Sequence, residues 1–222
     1  MTTVAQVKHV ARPLLERNSD LALVGRLIVI KPVHHVLRGV YIDRSLDPST
    51  FTPTWFVCLL FARDARIGFG WGDRLYNQAH GPWDISNANT PSVMCTEIEQ
   101  YALPHLRAIQ SIEDYVTFTS QKERFPLTYV SRDDPRMLII NIALGDFDAA
   151  RTICASRARR TTSSTAESAH ELCTLLAADD RPGLVRLLRA WEAASAKRLK
   201  LEKFWEPTPF PLELQRAGGD GV

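Results

Sequence analysis

Residues 55–61 read Trp-Phe-Val-Cys-Leu-Leu-Phe, so apolar side chains occupy both alternating faces of one short segment. A strand with one face in water alternates apolar and polar residues, whereas a strand that is covered on both faces is apolar throughout. We therefore expect this segment to be the central strand of a sheet that is packed on both sides. No stretch of the chain approaches the roughly 20 apolar residues that a membrane-spanning helix needs, so we expect no membrane partner.

Further strand-like runs lie on either side of this segment. Residues 23–31 and 33–43 are rich in Val, Ile and Leu, and Pro32 separates them. Together with the run at 54–63 they predict a meander of antiparallel strands, to which residues 67–71 add a fourth strand. Apolar residues at helical spacing before the first run predict an opening helix that bends or restarts near Pro13 and ends near Asn18.

Helix signals follow the strand-like runs. Thr90 and Pro91 resemble the cap and first residue of a helix, which we expect to kink near Pro104. Ser111 and Asp114 have the spacing of a capping box, in which each side chain accepts a hydrogen bond from the backbone of the other residue.

The pattern changes at residues 131–135. Asp134 before Pro135 is typical of a helix start, and no strand-like run occurs later in the chain. Ser164 and Glu167 form a second capping-box pattern, and a long amphipathic helix is predicted over about 180–203.

The predicted fold class is therefore α+β. Residues 1–134 are expected to form an α+β domain with a mostly antiparallel sheet of three to four strands and flanking helices. Residues 135–204 are expected to form an all-helical part of two helical hairpins, and residues 205–222 a Pro-rich extended tail.

The two predicted hairpins are related by a constant offset of 34 residues. The positions that superpose at this offset are Leu138 on Leu172, Ile142 on Leu176, Ala143 on Ala177, Asp146 on Asp180, Ala150 on Leu184, Ile153 on Leu187 and Cys154 on Leu188. Two hairpins stacked in the same sense would produce this register, because each presents the same apolar face to its neighbour.

The first copy reads Gly-Asp-Phe-Asp-Ala-Ala-Arg at residues 145–151, which resembles the turn and second-helix start of a tetratricopeptide repeat. The resemblance covers residues 136–191 and implies binding of a peptide or protein. The sequence departs from the family pattern at Leu138 and Thr162 in the first copy, and at Asp179, Arg181 and Leu184 in the second. An ordinary helical bundle that shares the period is the alternative.

Cys58, Cys95, Cys154 and Cys173 are far apart in the chain, and each lies in an apolar stretch. Closely spaced thiols, as in a CxxC motif, do not occur. We interpret all four as buried free thiols, and the absence of a signal-peptide pattern then predicts a cytoplasmic protein.

The sequence contains no defensible catalytic signature. The Gly-Phe-Gly-Trp-Gly stretch at 68–72 lacks the spacing and the following helix of a nucleotide-binding loop. The adjacent His34 and His35 should point to opposite faces of a strand, and the other histidines lack metal-ligand spacing. We therefore expect no catalytic residue, no metal and no cofactor, and lean towards a protein that is not an enzyme.

One stretch combines amphipathic aromatic residues with charge, the composition that protein interfaces favour. Packing against the sheet is the alternative for its residues. The candidate partner-binding residues are Trp71, Asp73, Arg74, Tyr76 and Trp83.

Positive charge is concentrated in the helical part. Residues 151–203 hold 11 Lys and Arg against 6 Asp and Glu, whereas residues 1–150 hold 15 against 16. The candidate basic-surface residues are Arg157, Arg159, Arg160, Arg186 and Arg189. Because acidic residues interrupt this region, nucleic acid is a less favoured partner than an acidic protein or solvent.

These patterns favour a bacterial-type cytosolic accessory protein that binds another protein without catalysis. Two alternatives stay open. One is an enzyme with a dispersed active site near the 68–84 loop, and the other is nucleic-acid binding through the basic C-terminal helices.

Overall fold

The structure is a computed structural model, and it describes residues 3–45, 47, 49–63, 72–77, 82–121, 135–157 and 166–215. It opens with α1 (Val4–Arg17), one helix that includes Pro13 and is capped by Asn18, so the predicted end is confirmed. At the other end the Thr3 hydroxyl accepts a hydrogen bond from the backbone N–H of Gln6 at 3.2 Å, which satisfies a donor of the first turn.

The sheet is an antiparallel meander. Its strands are β1 (Leu21–Val24), β2 (Leu27–Ile30), β3 (Val36–Arg44), β4 (Thr50–Leu59), β5 (Gly72–Arg74) and β6 (Trp83–Asp84). Strands β1 to β5 lie in chain order, and β6 also pairs with β4. The predicted antiparallel layout is confirmed, although the sheet has six strands where three to four were expected.

The additional strands have local causes. The run predicted as one strand over 23–31 is a hairpin, because Gly25 has φ +62° and turns the chain so that Val24 pairs with Leu27. Glycine adopts this backbone conformation without the steric penalty of a side chain. The fourth strand predicted over 67–71 lies outside the described residues. The described chain resumes at β5, directly after that range.

Strand β4 is covered on both faces, as its composition predicted. Val57, Leu59 and Phe61 belong to a large apolar cluster on one face, which we call the helical-side core. Phe56 and Cys58 belong to a smaller cluster on the other face, which we call the terminal-side core. Helices cover the first face, and the end of the long C-terminal helix with the segment after it covers the second.

Four helical elements follow the sheet before residue 121. They are α2 (Thr90–Glu97), a π-helical turn (Ile98–Ala102), α3 (Leu103–Ala108) and α4 (Ile112–Thr119). The irregularity predicted near Pro104 takes the form of this wider turn directly before it, since proline has no backbone N–H for a regular helical bond. The capping box of Ser111 and Asp114 is confirmed, with both hydrogen bonds at 3.0 Å.

Two helical hairpins form the C-terminal half. The first comprises α5 (Pro135–Leu144) and α6 (Phe147–Arg157), and the second α7 (Ala166–Ala177) and α8 (Arg181–Arg198). The helix predicted over 180–203 therefore ends at Arg198. The capping box predicted at Ser164 lies outside the described residues.

The turns of the two hairpins have the same geometry. Gly145 and Asp179, which lie 34 positions apart, both have positive φ, at +78° and +51°. Asp146 accepts a hydrogen bond from the N–H of Ala149 at 3.1 Å, and Asp180 accepts one from Gly183 at 2.8 Å. Each turn thus places an aspartate at the start of the second helix of its hairpin.

The hairpins and the sheet share the helical-side core. It includes β4 side chains together with buried residues of the later helices, among them Leu138, Leu184 and Leu188. The helical part therefore packs directly against the sheet.

The segment after α8 returns to the sheet. Trp205 forms a parallel bridge with Val33, and residues 206–210 are irregular. A short helix, α9 (Pro211–Leu214), follows, where an extended chain was predicted. The described part of this tail, up to residue 215, is anchored, since Phe210 is fully buried and Leu212 is 4% exposed.

Cys154 and Cys173 form a disulfide that joins α6 to α7, so the interpretation of all four cysteines as free thiols is wrong for this pair. The stacking of the two hairpins brings the residues together although 19 positions separate them. Cys58 and Cys95 are free and buried, as predicted.

Candidate functional site

Three of the five predicted partner-binding residues come together at an edge of the sheet. Asp73, Arg74 and Tyr76 line a groove of about 360 Å³, with Asp43 and Thr54 beside them. We call this the edge groove. Among the described strands, β5 pairs only with β4.

The side chains of the edge groove are open to solvent. Tyr76 is 65% exposed, compared with 56% for Tyr101. Arg74 is exposed and forms no ion pair with a described carboxylate, while Asp73 accepts a hydrogen bond from the backbone N–H of Arg74 at 2.7 Å. A phenol ring beside a charged guanidinium is suited to contact with another molecule.

The other two predicted residues are not part of this groove. Trp83 is 3% exposed, its indole N–H donates to the carbonyl of Leu75 at 2.7 Å, and its ring stacks on Phe51. Packing is therefore its role in the structure. Trp71 lies outside the described residues.

The predicted basic surface is partly neutralised. Arg189 donates to Glu213 at 2.6 Å and lies 3.8 Å from Glu192. Arg186 is 73% exposed at its side chain and lies 3.7 Å from Asp180. Arg159 and Arg160 lie outside the described residues, as does the side chain of Arg157.

A buried polar cluster joins β3, α8 and the C-terminal segment. The imidazole Nδ1 of His35 lies 2.7 Å from Oε1 of Glu192, whose side chain is fully buried. His35 Nε2 lies 3.2 Å from the Thr208 hydroxyl, and its ring stacks on Phe210 at 4.1 Å between centroids. Since every partner is internal, this cluster holds the C-terminal segment in place.

A second cleft lies among the end of β2, β3 and α3. Its volume is about 500 Å³, and we call it the basic cleft. Its polar lining comprises Asp20, Lys31, His34, Arg38, Arg107 and Gln110.

Arg38 and Arg107 are fixed within the basic cleft in different ways. Arg38 is 7% exposed and donates to the carbonyls of Ile109 and Pro32. Burial lowers the pKa of its guanidinium, and no described carboxylate forms an ion pair with it. Arg107 instead holds Asp20 through two hydrogen bonds, at 2.9 and 2.8 Å, and these lower the pKa of that carboxyl.

Sequence reasoning missed these buried charged residues, although a signal was present. Arg38 interrupts the apolar strand run at 33–43, and Glu192 lies four positions after Leu188 on the apolar stripe of its helix. A charge at a core position is rarely tolerated without a partner. Such positions identify buried polar clusters even where no catalytic motif exists.

The described residues offer little for thiol or metal chemistry. Burial raises the pKa of the Cys58 thiol to about 12, so it stays protonated at neutral pH. No group of three or more His, Cys, Asp or Glu among the described residues is placed to hold a metal ion.

The fold is that of an α+β protein with an antiparallel meander and a helical layer. No described helix has the length and apolar character needed to cross a membrane. Comparison of the chain with protein-family models, curated proteins and solved structures finds no significant match.

Proposed function

We propose that this chain is a binding protein that contacts another protein through the edge groove. The observation that carries the proposal is the grouping of Tyr76, Arg74 and Asp73 on a sheet edge, with the tyrosine 65% exposed. Tyrosine and arginine are the residue types that most often dominate the energy of protein interfaces.

The chemistry of the groove defines the partner. An extended segment that lies along β5 would use the backbone groups of an edge strand. The groove carries both signs of charge, since Asp43 and Asp73 line it together with Arg74, and the Tyr76 ring favours an apolar side chain in that segment. The proposed partner is therefore a protein with an exposed, extended segment that carries an apolar side chain.

The helical hairpins add independent support for a binding role. Their turns share positive φ and an aspartate cap at an offset of 34 residues, as expected for a tetratricopeptide-like pair. Proteins of that architecture bind peptides and proteins. We propose the pair as such a unit, packed against a sheet in place of further repeats.

We also propose that the protein is cytoplasmic. Stable structural disulfides are rare in the cytoplasm. The bond between Cys154 and Cys173 opposes this assignment, so the redox state of these two residues in the cell is decisive.

The partner surface is tested by affinity capture from the native cells with four forms of the chain, the unmodified chain and three single variants. Arg74→Ala and Tyr76→Ser are each expected to reduce recovery of the partner about tenfold, in line with losses at interface anchor residues. Tyr101→Ser is the matched control, because Tyr101 is also exposed, at 56%, but lies away from β5. Equal recovery with all four forms would exclude the edge groove as the contact surface.

A further inference from the structure

We propose that the basic cleft binds the phosphate group of a small molecule. The cleft shares no lining residue with the edge groove, so this site does not rest on the proposed protein binding.

The lining of the basic cleft carries a surplus of positive charge. The cleft has three obligate cations, Lys31, Arg38 and Arg107, and one carboxylate, Asp20, so its lining carries a net charge of +2 before His34 is counted. A phosphate monoester carries about −1.5 to −2 at neutral pH, whereas a carboxylate carries only one negative charge. The surplus therefore matches phosphate better than a carboxylate ligand.

Arg38 is buried in the basic cleft without a counter-ion among the described residues. A guanidinium keeps its charge at all ordinary pH values, and burying a charge without a counter-ion is unfavourable. Arg38 is 7% exposed, yet the two acceptors it reaches, Ile109 and Pro32, are neutral carbonyls. The carboxylates of Asp20 and Asp114 act on it without forming an ion pair. A bound anion would supply the missing counter-charge.

Hydrogen bonds within the protein already hold two of the cleft's side chains, Arg107 and His34, in place. Arg107 is held by Asp20 and by Asn18, to which it donates at 2.8 Å, so its guanidinium is immobilised before any ligand arrives. His34 donates from Nδ1 to the carbonyl of Glu206 at 2.9 Å, which fixes its ring. Lys31 also lines the cleft, and its charge acts on Asp20 without an ion pair between the two side chains. Groups that are fixed in advance lose little conformational entropy on binding.

The basic cleft is large enough for a small organic molecule. A volume of about 500 Å³ lies within the roughly 300–1,000 Å³ typical of small-molecule sites. It exceeds the space that a single phosphate ion fills. The ligand is therefore expected to carry an organic part next to its phosphate.

Isothermal titration of the full chain tests the proposal. Inorganic phosphate, glycerol phosphate and acetate are titrated at constant ionic strength into the unmodified chain and two variants. Glycerol phosphate is expected to bind more tightly than inorganic phosphate, and acetate much more weakly than either. Lys31→Gln is expected to weaken binding of both phosphates about tenfold, whereas Lys8→Gln, an exposed lysine on α1, leaves it unchanged.

Each contrary result is decisive. Equal affinity of the Lys31→Gln and Lys8→Gln variants would overturn the site, and acetate binding as tightly as phosphate would overturn the ligand class. Binding of inorganic phosphate with exclusion of glycerol phosphate would overturn the organic part of the ligand.

A measurement on the unmodified chain removes any dependence on how the variants fold. Addition of glycerol phosphate is expected to shift the NMR signals of the Arg38 side-chain Nε–H and the Gln110 side-chain amide. Shifts confined to signals outside the basic cleft would place the ligand elsewhere and overturn the proposal.

Discussion

His35 and Glu192 form a hydrogen-bonded pair at 2.7 Å in the protein interior, although 157 positions separate them in the chain. Glu192 lies on α8 between Leu188, in the helical-side core, and Ala196, in the terminal-side core. The pair therefore sits where α8 passes from one face of the sheet to the other. It ties α8 and the C-terminal segment to the start of β3.

Removal of the imidazole should be costly. His35→Ala leaves the buried carboxylate of Glu192 without its hydrogen-bond donor and removes the stack on Phe210. The expected loss in the free energy of unfolding is about 3 kcal/mol, measured by urea denaturation. The control is His34→Ala, whose partly exposed ring makes one hydrogen bond to Glu206 and should cost no more than about 1 kcal/mol. Equal losses for the two variants would show that the His35–Glu192 pair stabilises the fold no more than the single hydrogen bond of His34 does.

Replacing the glycine of the first hairpin turn and introducing a glycine into the second should have unequal effects on stability. Gly145→Ala forces a side chain into a backbone with φ +78° and should destabilise the chain by about 1–2 kcal/mol. Asp179→Gly, at the equivalent turn with φ +51°, relieves backbone strain but removes the exposed ion pairs of Asp179 with Arg151 and Arg181, each worth less than about 1 kcal/mol, so it should cost less than Gly145→Ala. Thermal unfolding of both variants checks this, and a loss for Asp179→Gly as large as that for Gly145→Ala would contradict the shared turn geometry.

The disulfide should contribute measurably to stability. Closing a loop of 19 residues between Cys154 and Cys173 lowers the entropy of the unfolded chain, an effect of about 3 kcal/mol. Reductant should therefore lower the unfolding temperature of the unmodified chain. The control is the double variant Cys154→Ser with Cys173→Ser, which should not respond to reductant.

Rapid thiol trapping in intact native cells connects this bond to location. Alkylation of both Cys154 and Cys173 would support the proposed cytoplasm, because thiols are kept reduced there. Protection of both from alkylation would contradict that location.

The Asp20–Arg107 pair should produce a pH-dependent contribution. The hydrogen bond from Arg107 lowers the pKa of Asp20 below its usual value of 3.8, so the folded chain binds this proton less readily than the unfolded chain. The stabilisation is therefore complete above about pH 4 and is lost as the pH falls through the lower folded pKa. Because the pair is largely exposed, its contribution should be below about 1 kcal/mol.

The corresponding experiment compares Asp20→Asn with the unmodified chain by urea denaturation at several pH values. The variant should be less stable at pH 7, and the difference should shrink below pH 4. Glu202→Gln, at an exposed carboxylate that forms no ion pair with a described residue, is the control and should show no such trend. A difference for Asp20→Asn that stays constant down to pH 2 would contradict the assigned pair.

The sequence predicted the architecture where periodicity was strong. The double-faced apolar run identified β4 as the covered strand, the capping box at Ser111 located one helix start, and the apolar stripe over about 180–203 located α8. The hairpin at Gly25 was missed because apolar residues lie directly on both sides of a turn of only two residues. The disulfide was missed because the contact of Cys154 with Cys173 depends on how two hairpins stack, which spacing in the chain does not specify.

The candidate sites were predictable to a smaller degree. Asp73, Arg74 and Tyr76 were selected as candidate partner-binding residues from composition, because aromatic and charged residues near a strand end are a local feature, and all three line the edge groove. Trp83 has the same composition but packs inward, a choice made by its contacts with Leu75 and Phe51. The basic cleft joins residues from positions 20 to 110, and only the folded chain brings them together.

Photo-crosslinking from position 76 in the native cells tests the proposed contact surface most directly. A benzophenone side chain introduced at Tyr76 is compared with the same group at Tyr101, which is similarly exposed. We predict one crosslinked protein species that forms from position 76, does not form from position 101, and is lost when Arg74→Ala is added. Formation of the same species from both positions, or of none from position 76, would contradict binding through the edge groove.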